Sequence, residues 1–186
     1  MTLDNTITPS PTAHDWPLEV HRVLSEAVIT MVAYVPDAGL KRLIELCHAD
    51  GSMRAVPLTT EEEGVGLALG AWLGGKGSVL LLQSSGVGNM VNVLGTVREC
   101  RLPFLMIVTM RGEDGEFNPW QVPMGTATPK VLEAMGVRVR RAEEASEVAM
   151  VVRAALAEAY EGDAAVAVLI SQTVIGIKSF QEQRDR

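Results

Sequence analysis

Residues 59–83, TTEEEGVGLALGAWLGGKGSVLLLQ, place a glycine-rich apolar segment directly before a continuous apolar strand. The first part predicts a helix from about Glu61 to Leu73, and SVLLLQ predicts a buried strand. A strand that is apolar at every position is typical of a parallel sheet with both faces covered.

The same alternation of helix and apolar strand extends along the chain. Five more strands are predicted, in VITMVAYVP, MRAVPL, FLMIVTM, VRVRRA and AAVAVLIS. Helices are predicted between them, and one of these follows a glycine-rich turn at residues 84–89, while residues 111–129 are predicted as a long loop. The pattern predicts an α/β fold of three layers, α/β/α, around a mostly parallel sheet of about six strands.

Length and composition favour one domain that other chains partly cover. The chain has 186 residues, which we divide into a flexible arm (1–15), a domain (16–176) and a polar tail (177–186). Hydrophobic residues make up 47% and charged residues 21%, which is apolar for a free monomer. The net charge of −7 argues against nucleic acid and anionic membrane surfaces as partners.

Cysteine usage and the chain start predict a cytoplasmic protein. Cys47 and Cys100 stand outside any CxxC or Cys/His cluster and read as reduced thiols. The first residues lack the basic start and apolar core of a signal peptide, and no apolar run reaches the length of a membrane span. The three histidines are scattered, so no metal site is predicted.

Four loops follow the carboxyl ends of predicted strands, where ligands bind in parallel α/β sheets. They contain VPDAG, PLTTEEEG, QSSGVGNM and MRGEDGEFNPWQVPMG. A loop as long as the last is uncommon in a compact domain unless it binds a ligand or covers a site, although a solvated charged loop is the alternative.

Three consecutive glutamates, Glu61 to Glu63, stand at the mouth of the apolar helix. Neighbours on a helix point about 100° apart, so at most one of them faces inward. The alternative is an acidic first turn with a capping box, in which Thr59 or Thr60 is the N-cap and Glu62 or Glu63 completes the box.

The segment SSGVGN, Ser84 to Asn89, joins a strand to a helix. Its glycines suggest a phosphate cradle, but the spacing is neither GxGxxG nor a Walker motif, and a tight turn explains it equally well. Asn89 and Asn92 share a helix face beside apolar residues, where buried amides need partners.

Taken in order, these segments resemble the pyrimidine-binding (PYR) domain of thiamine-diphosphate-dependent enzymes. The resemblance rests on the strand ending in YVP, EEEGVGLALGAWLGGKG, LLLQSSGVGNMVNVLGTV and PFLMIVTMRGEDGE, and it covers roughly residues 16–172. Within that family the segments are most like the alpha subunit of sulfopyruvate decarboxylase and the matching half of phosphonopyruvate decarboxylase. The resemblance implies decarboxylation of a small anionic 2-oxo acid to an aldehyde and CO2.

The resemblance also implies a role for one glutamate, which hydrogen-bonds to N1′ of the cofactor's aminopyrimidine. In the family it stands nine residues before a glycine that matches Gly70, which selects Glu61, with Glu62 as the second choice. Further cofactor-binding positions are implied at Val35, Pro36, Ser84, Ser85, Gly86, Gly88 and Asn89. Substrate-binding positions are implied at Gln83, Arg111 and Gln121.

The family's diphosphate and Mg²⁺ are held by a second domain with a GDG motif, and no GDG occurs here. The resemblance therefore implies a separate beta subunit with that motif, an active site between chains, and a higher oligomer. Asp37 and Thr60 depart from the residues expected there, and Arg54 and Arg111 are the candidate cations for a dianionic substrate.

Other functions stay open at this point. A carboligase of the acetolactate type would use the same cofactor, and a non-catalytic ligand-binding or regulatory subunit would have the same fold. A self-sufficient nucleotide binder is disfavoured because the sequence lacks GxGxxG.

Overall fold

The computed structural model describes residues 14–176, which form a six-stranded parallel sheet between two layers of helices. The strands are β1 (Ile29–Tyr34), β2 (Arg54–Pro57), β3 (Gly77–Gln83), β4 (Phe104–Thr109), β5 (Arg138–Ala142) and β6 (Ala165–Ile170). The helices are α1 (Trp16–Glu26), α2 (Lys41–Ala49), α3 (Glu61–Leu73), α4 (Ser84–Cys100), α5 (Val122–Ala134), α6 (Val148–Tyr160) and α7 (Gln172–Ile175). The predicted α/β class and six parallel strands are confirmed.

The strand order is β2-β1-β3-β4-β6-β5, and every neighbouring pair is parallel. Helices α1, α2 and α6 pack on one face of the sheet, and α3, α4 and α5 pack on the other. The carboxyl ends of β2, β1, β3 and β4 are therefore adjacent, which brings the four predicted loops to one edge.

Strand β3 shows why the central strands are apolar throughout. Val79 and Leu81 enter the core beneath α1, α2 and α6, whereas Leu80 and Leu82 enter the core beneath α3, α4 and α5. The edge strands β2 and β5 differ, since β2 carries one exposed arginine and β5 carries three. Charged side chains on edge strands hinder pairing with further strands.

The glycine-rich turn predicted at residues 84–89 is wrong, because α4 begins at Ser84 without an intervening turn. The long loop predicted at residues 111–129 is also too long, since a 3-10 turn at Pro119–Gln121 leads into α5 at Val122. Tertiary packing overrides the weak helix propensity of VPMGTATP. A Cβ atom on Gly125 would lie 2.0 Å from the Arg111 carbonyl oxygen, so only glycine allows this approach.

Most of the predicted arm and the whole predicted tail lie outside the described residues. Between residues 14 and 176, no helix combines the length and the apolar character needed to cross a bilayer. A cytoplasmic location stays a prediction of the sequence.

Two glycines of α3 provide a matched test of its packing. We expect Gly64→Ala to destabilise the chain by about 1–3 kcal/mol, because the new methyl group would lie 2.5 Å from the Leu80 side chain. Gly66→Ala, where nothing lies within 4 Å, should stabilise it by up to about 1 kcal/mol through helix propensity. Urea unfolding measures both changes, and equal effects of the two variants would contradict this packing.

Candidate active site

Glu61 is the buried member of the glutamate triplet. It is the first residue of α3 and is 6% exposed, whereas Glu62 and Glu63 are exposed. Thr60 is the N-cap, and the Glu63 carboxylate accepts the backbone N–H of Thr59 at 2.9 Å and that of Thr60 at 3.5 Å. The triplet thus contains both alternatives considered from the sequence, a capping carboxylate and an inward one.

The Glu61 carboxylate lies against the first turns of α4. Asn89 donates its Nδ2–H to Glu61 Oε2 at 2.8 Å. A Cβ atom on Gly86 would lie 2.0 Å from Glu61 Oε1, so glycine makes room for the carboxylate. Within residues 14–176, Oε1 has no hydrogen-bond partner and can accept a hydrogen bond from a ligand. Asn92 is exposed, so the polar face expected from the two asparagines is not buried in this chain.

The residues around Gly86 divide into buried and exposed groups. Ser84 is fully buried, and its Oγ accepts the backbone N–H of Arg111 at 3.0 Å, which ties α4 to the end of β4. Ser85, Gly88 and Asn89 are exposed on the outer side of α4. Ser84 therefore supports the local backbone, and the exposed three lie where a ligand or another chain has access.

A polar cluster joins the ends of β1, β3 and β4. Asp37 accepts hydrogen bonds from Gln83 Nε2 at 2.7 Å and Thr109 Oγ1 at 2.9 Å. Gln83 Oε1 in turn accepts from Ser85 Oγ at 2.8 Å and Gln121 Nε2 at 3.3 Å. The structure thus brings the two predicted glutamines together.

Two members of that cluster were not among the predicted site residues. Asp37 was noted only as a departure from the expected residue, and Thr109 was missed. The sequence signal for Thr109 was a polar side chain at the end of an otherwise apolar strand. Val35 and Pro36 follow β1 at the same edge, and the Val35 N–H donates to the Leu81 carbonyl at 3.2 Å.

Arg111 forms a buried ion pair with Glu116. The Nε and Nη2 groups of Arg111 donate to the two carboxylate oxygens at 2.7 and 2.6 Å, and the two side chains are 9% and 1% exposed. Glu116 also accepts from the Gly112 and Asn118 backbone N–H groups and from Gln172 Nε2. The hydrogen bond from Arg111, with the backbone donors, lowers the pKa of Glu116 to about 2.

These contacts change the view of the two candidate cations. The charge of Arg111 is balanced by Glu116, although its remaining N–H groups are available for a hydrogen bond. Arg54 begins β2 and pairs with Met31 near the start of β1. It therefore lies at the amino edge of the sheet, and the structure does not bring it to the carboxyl edge where Glu61 lies.

A cavity of about 700 Å³ opens at that opposite, amino edge. Its lining includes Ile29 and Gly77, at the starts of β1 and β3, together with Trp72 and Tyr160. None of the predicted site residues lines this cavity. The candidate site is therefore the carboxyl edge, where Glu61, Gln83 and Arg111 lie in an open arrangement that a second chain can complete.

Comparison with known proteins identifies the family. The sulfopyruvate decarboxylase alpha subunit of Methanothermobacter thermautotrophicus is 40% identical over 129 residues, which are 69% of this chain and 78% of that protein. The corresponding subunit of Methanocaldococcus jannaschii is 31% identical over 153 residues, 82% and 90% of the two chains. This chain belongs to the sulfopyruvate decarboxylase alpha-subunit family. As a member it is a subunit of a 2-oxo acid decarboxylase, a lyase.

More distant likenesses agree with this family. A phosphonopyruvate decarboxylase of Streptomyces viridochromogenes is 38% identical over 107 residues, 56% of this chain and 27% of that protein. A solved 2-oxoglutarate:ferredoxin oxidoreductase of Magnetococcus marinus superposes with a TM-score of 0.67 at 17% identity, covering 84% of this chain and 28% of that one. The latter likeness concerns the fold alone. No family model matches the chain.

The pH dependence of the unfolding free energy tests the Arg111–Glu116 ion pair. Because the folded-state pKa of Glu116, about 2, lies below its usual 4.5, the pair stabilises the fold above about pH 5 and is progressively lost as the pH falls toward 2. We expect the unfolding free energy of the native chain to fall more steeply over this range than that of Glu116→Gln. Urea titrations from pH 6 to 3 measure the slopes.

Glu116→Gln needs a control in which Arg111 is replaced as well, since the single variant leaves the buried Arg111 guanidinium unpaired. We expect Glu116→Gln to cost about 3 kcal/mol at pH 7, and the double variant Arg111→Met/Glu116→Gln to cost less. Parallel pH profiles for the native chain and Glu116→Gln would count against a depressed Glu116 pKa.

Proposed function

We propose that this chain provides the pyrimidine side of a thiamine diphosphate site in a two-chain 2-oxo acid decarboxylase. The observation that carries the proposal is Glu61, a buried carboxylate with one oxygen held by Asn89 and the other without a partner in residues 14–176. Family membership indicates the class of reaction. The Glu61 carboxyl group is suited to a hydrogen bond with a ring nitrogen of the cofactor.

The residues present fit the cofactor. Glu61 Oε1 would hydrogen-bond to a ring nitrogen of the cofactor's aminopyrimidine, and the absence of a side chain at Gly86 leaves room for that carboxylate against α4. Val35, Pro36, Ser85, Gly88 and Asn89 would border the ring, and Ser84 would support them through the Arg111 backbone. When bound, thiamine diphosphate supplies the electron sink that loss of CO2 from a 2-oxo acid requires.

We assign the diphosphate and Mg²⁺ to a beta subunit with a GDG motif. In residues 14–176 no three His, Cys, Asp or Glu side chains are grouped so that they could hold a metal ion. The names of the relatives, alpha subunits, support a partner chain.

The proposed substrate is sulfopyruvate or phosphonopyruvate, the acids named in the relatives. Gln83, Gln121 and the free N–H groups of Arg111 would meet the substrate at the carboxyl edge. Since Glu116 already balances the charge of Arg111, we expect the beta subunit to supply the cation for the second anionic group.

The exposed face of α3 is the proposed docking face for the beta subunit. Gly66 and Gly70 lie on it with nothing within 4 Å of a Cβ position, and Leu73 is 80% exposed. Each helical glycine costs about 1 kcal/mol relative to alanine, and no contact within residues 14–176 requires these two. Close approach of another chain would account for them.

The function is tested by co-expressing this chain with a GDG-containing beta subunit and assaying three acids, sulfopyruvate, phosphonopyruvate and pyruvate. Thiamine diphosphate and Mg²⁺ are added, and each chain alone is the control. We expect turnover of one dianionic acid by the complex and none by either chain. A stable, cofactor-binding complex that turns over none of them would contradict the proposed substrates.

In that assay, we expect Glu61→Gln to retain less than about a tenth of the native kcat, since an amide cannot share a proton with the ring nitrogen. Glu62→Gln is the matched control, because its side chain is exposed one position away, and it should keep most of the activity. Equal losses, or a larger loss in Glu62→Gln, would exclude the role assigned to Glu61.

The docking face is tested with a second pair of variants. We expect Leu73→Lys to raise the dissociation constant of the two chains at least about tenfold, because a charge is buried in the interface. Met150→Lys is the control, since Met150 is 68% exposed on α6, in the opposite helix layer, and should leave binding unchanged. Titration calorimetry measures both, and the reverse pattern would move the interface to α6.

A further inference from the structure

The carboxylate of Asp37 is the centre of the polar cluster at the carboxyl edge. It accepts three hydrogen bonds, from the Gly39 N–H at 2.9 Å, from Thr109 Oγ1 at 2.9 Å and from Gln83 Nε2 at 2.7 Å. These donors come from the β1–α2 loop and from the ends of β4 and β3. Asp37 thus connects three adjacent elements at the point where the substrate is proposed to bind.

The contact with Asp37 decides which end of the Gln83 amide faces the site. An ionised carboxylate only accepts hydrogen bonds, so it selects the NH2 end of the amide. The carbonyl end is then directed to Ser85 Oγ, which donates at 2.8 Å, and to Gln121 Nε2, which donates at 3.3 Å. With the Gln83 amide reversed, its NH2 group would face Gln121 Nε2, and the Gln121 amide would have to reverse as well to accept a hydrogen bond from it.

We propose that Asp37 is a positioning residue that sets the orientation of the Gln83 amide and thereby holds Gln121 at the substrate side of the site. The inference rests on the proposed function for its consequence in catalysis. Gln121 ends the 3-10 turn before α5. The carbonyl oxygen and the second N–H of its side-chain amide have no partner within residues 14–176 and are available to the substrate. Their placement relative to β3 depends on an acceptor at position 37.

The first variant, Asp37→Asn, replaces one of the two acceptor oxygens of the side chain by an NH2 group, although three hydrogen-bond donors surround it. In the complete complex, we expect KM for the substrate to rise about tenfold, as for one lost hydrogen bond, with a smaller change in kcat. Asp50→Asn is the matched control, because Asp50 follows α2, away from the cluster, and it should leave both constants unchanged.

The decisive variant exchanges the two groups, Asp37→Asn/Gln83→Glu. The asparagine oxygen can accept from Gly39 and Thr109, and its NH2 can donate to the new glutamate. The second oxygen of that glutamate can accept from Ser85 and Gln121, so every contact and the net charge are kept. Because a glutamate at position 83 would also meet the anionic substrate, the double variant is judged on the fold and not on KM: we expect the side-chain amide signal of Gln121 to return to its native position. Gln83→Glu alone, which places two carboxylates together, should shift that signal as well.

A double variant whose Gln121 amide signal stays where Asp37→Asn puts it would overturn the proposal, because Asp37 would then not act through the Gln83 amide. This readout does not depend on turnover. In the full chain labelled with ¹⁵N-glutamine, Asp37→Asn should shift the side-chain amide signals of both Gln83 and Gln121, and the double variant should restore that of Gln121. An unmoved Gln121 signal would refute the positioning role, whereas shifted signals without turnover by the native complex would reject only the proposed function.

Discussion

The candidate site depends on the packing of one carboxylate against a helix backbone. Glu61 begins α3 and reaches the first turns of α4 only because residue 86 has no side chain, and Asn89 then holds one carboxylate oxygen. A buried carboxylate is costly unless it is hydrogen-bonded, so this contact determines how α3 and α4 approach each other. Ser85, Gly88 and Asn89 are exposed on α4 at the same carboxyl edge, where the cofactor is proposed to bind.

A second constraint is the internal neutralisation of charge beside the site. Arg111 and Glu116 form a bidentate pair, and Glu113 pairs with Arg141 and accepts the Gln172 backbone N–H. These contacts fold the segment after β4 into a compact structure that leads to Gln121. The same ion pairs neutralise the arginines that the sequence alone suggests for binding an anionic substrate. This chain therefore contributes hydrogen-bond donors to the proposed site, and little net positive charge.

Several features of this chain support the presence of a second chain. Beyond its acidic first turn, helix α3 is apolar on its exposed side as well as its buried side, and a helix of that kind is normally covered. The open carboxyl edge and the apolar composition also favour a second chain, whereas the Glu61 oxygen that has no partner within residues 14–176 favours a bound ligand. The cavity at the amino edge lies apart from all of them.

The sequence by itself determined the α/β class, the number of strands and the extent of α3, because continuous apolar strands and periodic helices follow from local patterns of burial. The resemblance implied that Gln83, Arg111 and Gln121 share a substrate-binding region, which agrees with successive parallel strands ending at one edge. The sequence did not reveal that α4 starts at Ser84 or that α5 starts at Val122, because those boundaries depend on contacts with Glu61 and with the Arg111 carbonyl. The resemblance had already selected Glu61, but only the tertiary structure decided that Glu116 balances Arg111 and that Asp37 accepts a hydrogen bond from Gln83. Each of these depends on hydrogen bonds between side chains whose relative positions no single segment specifies.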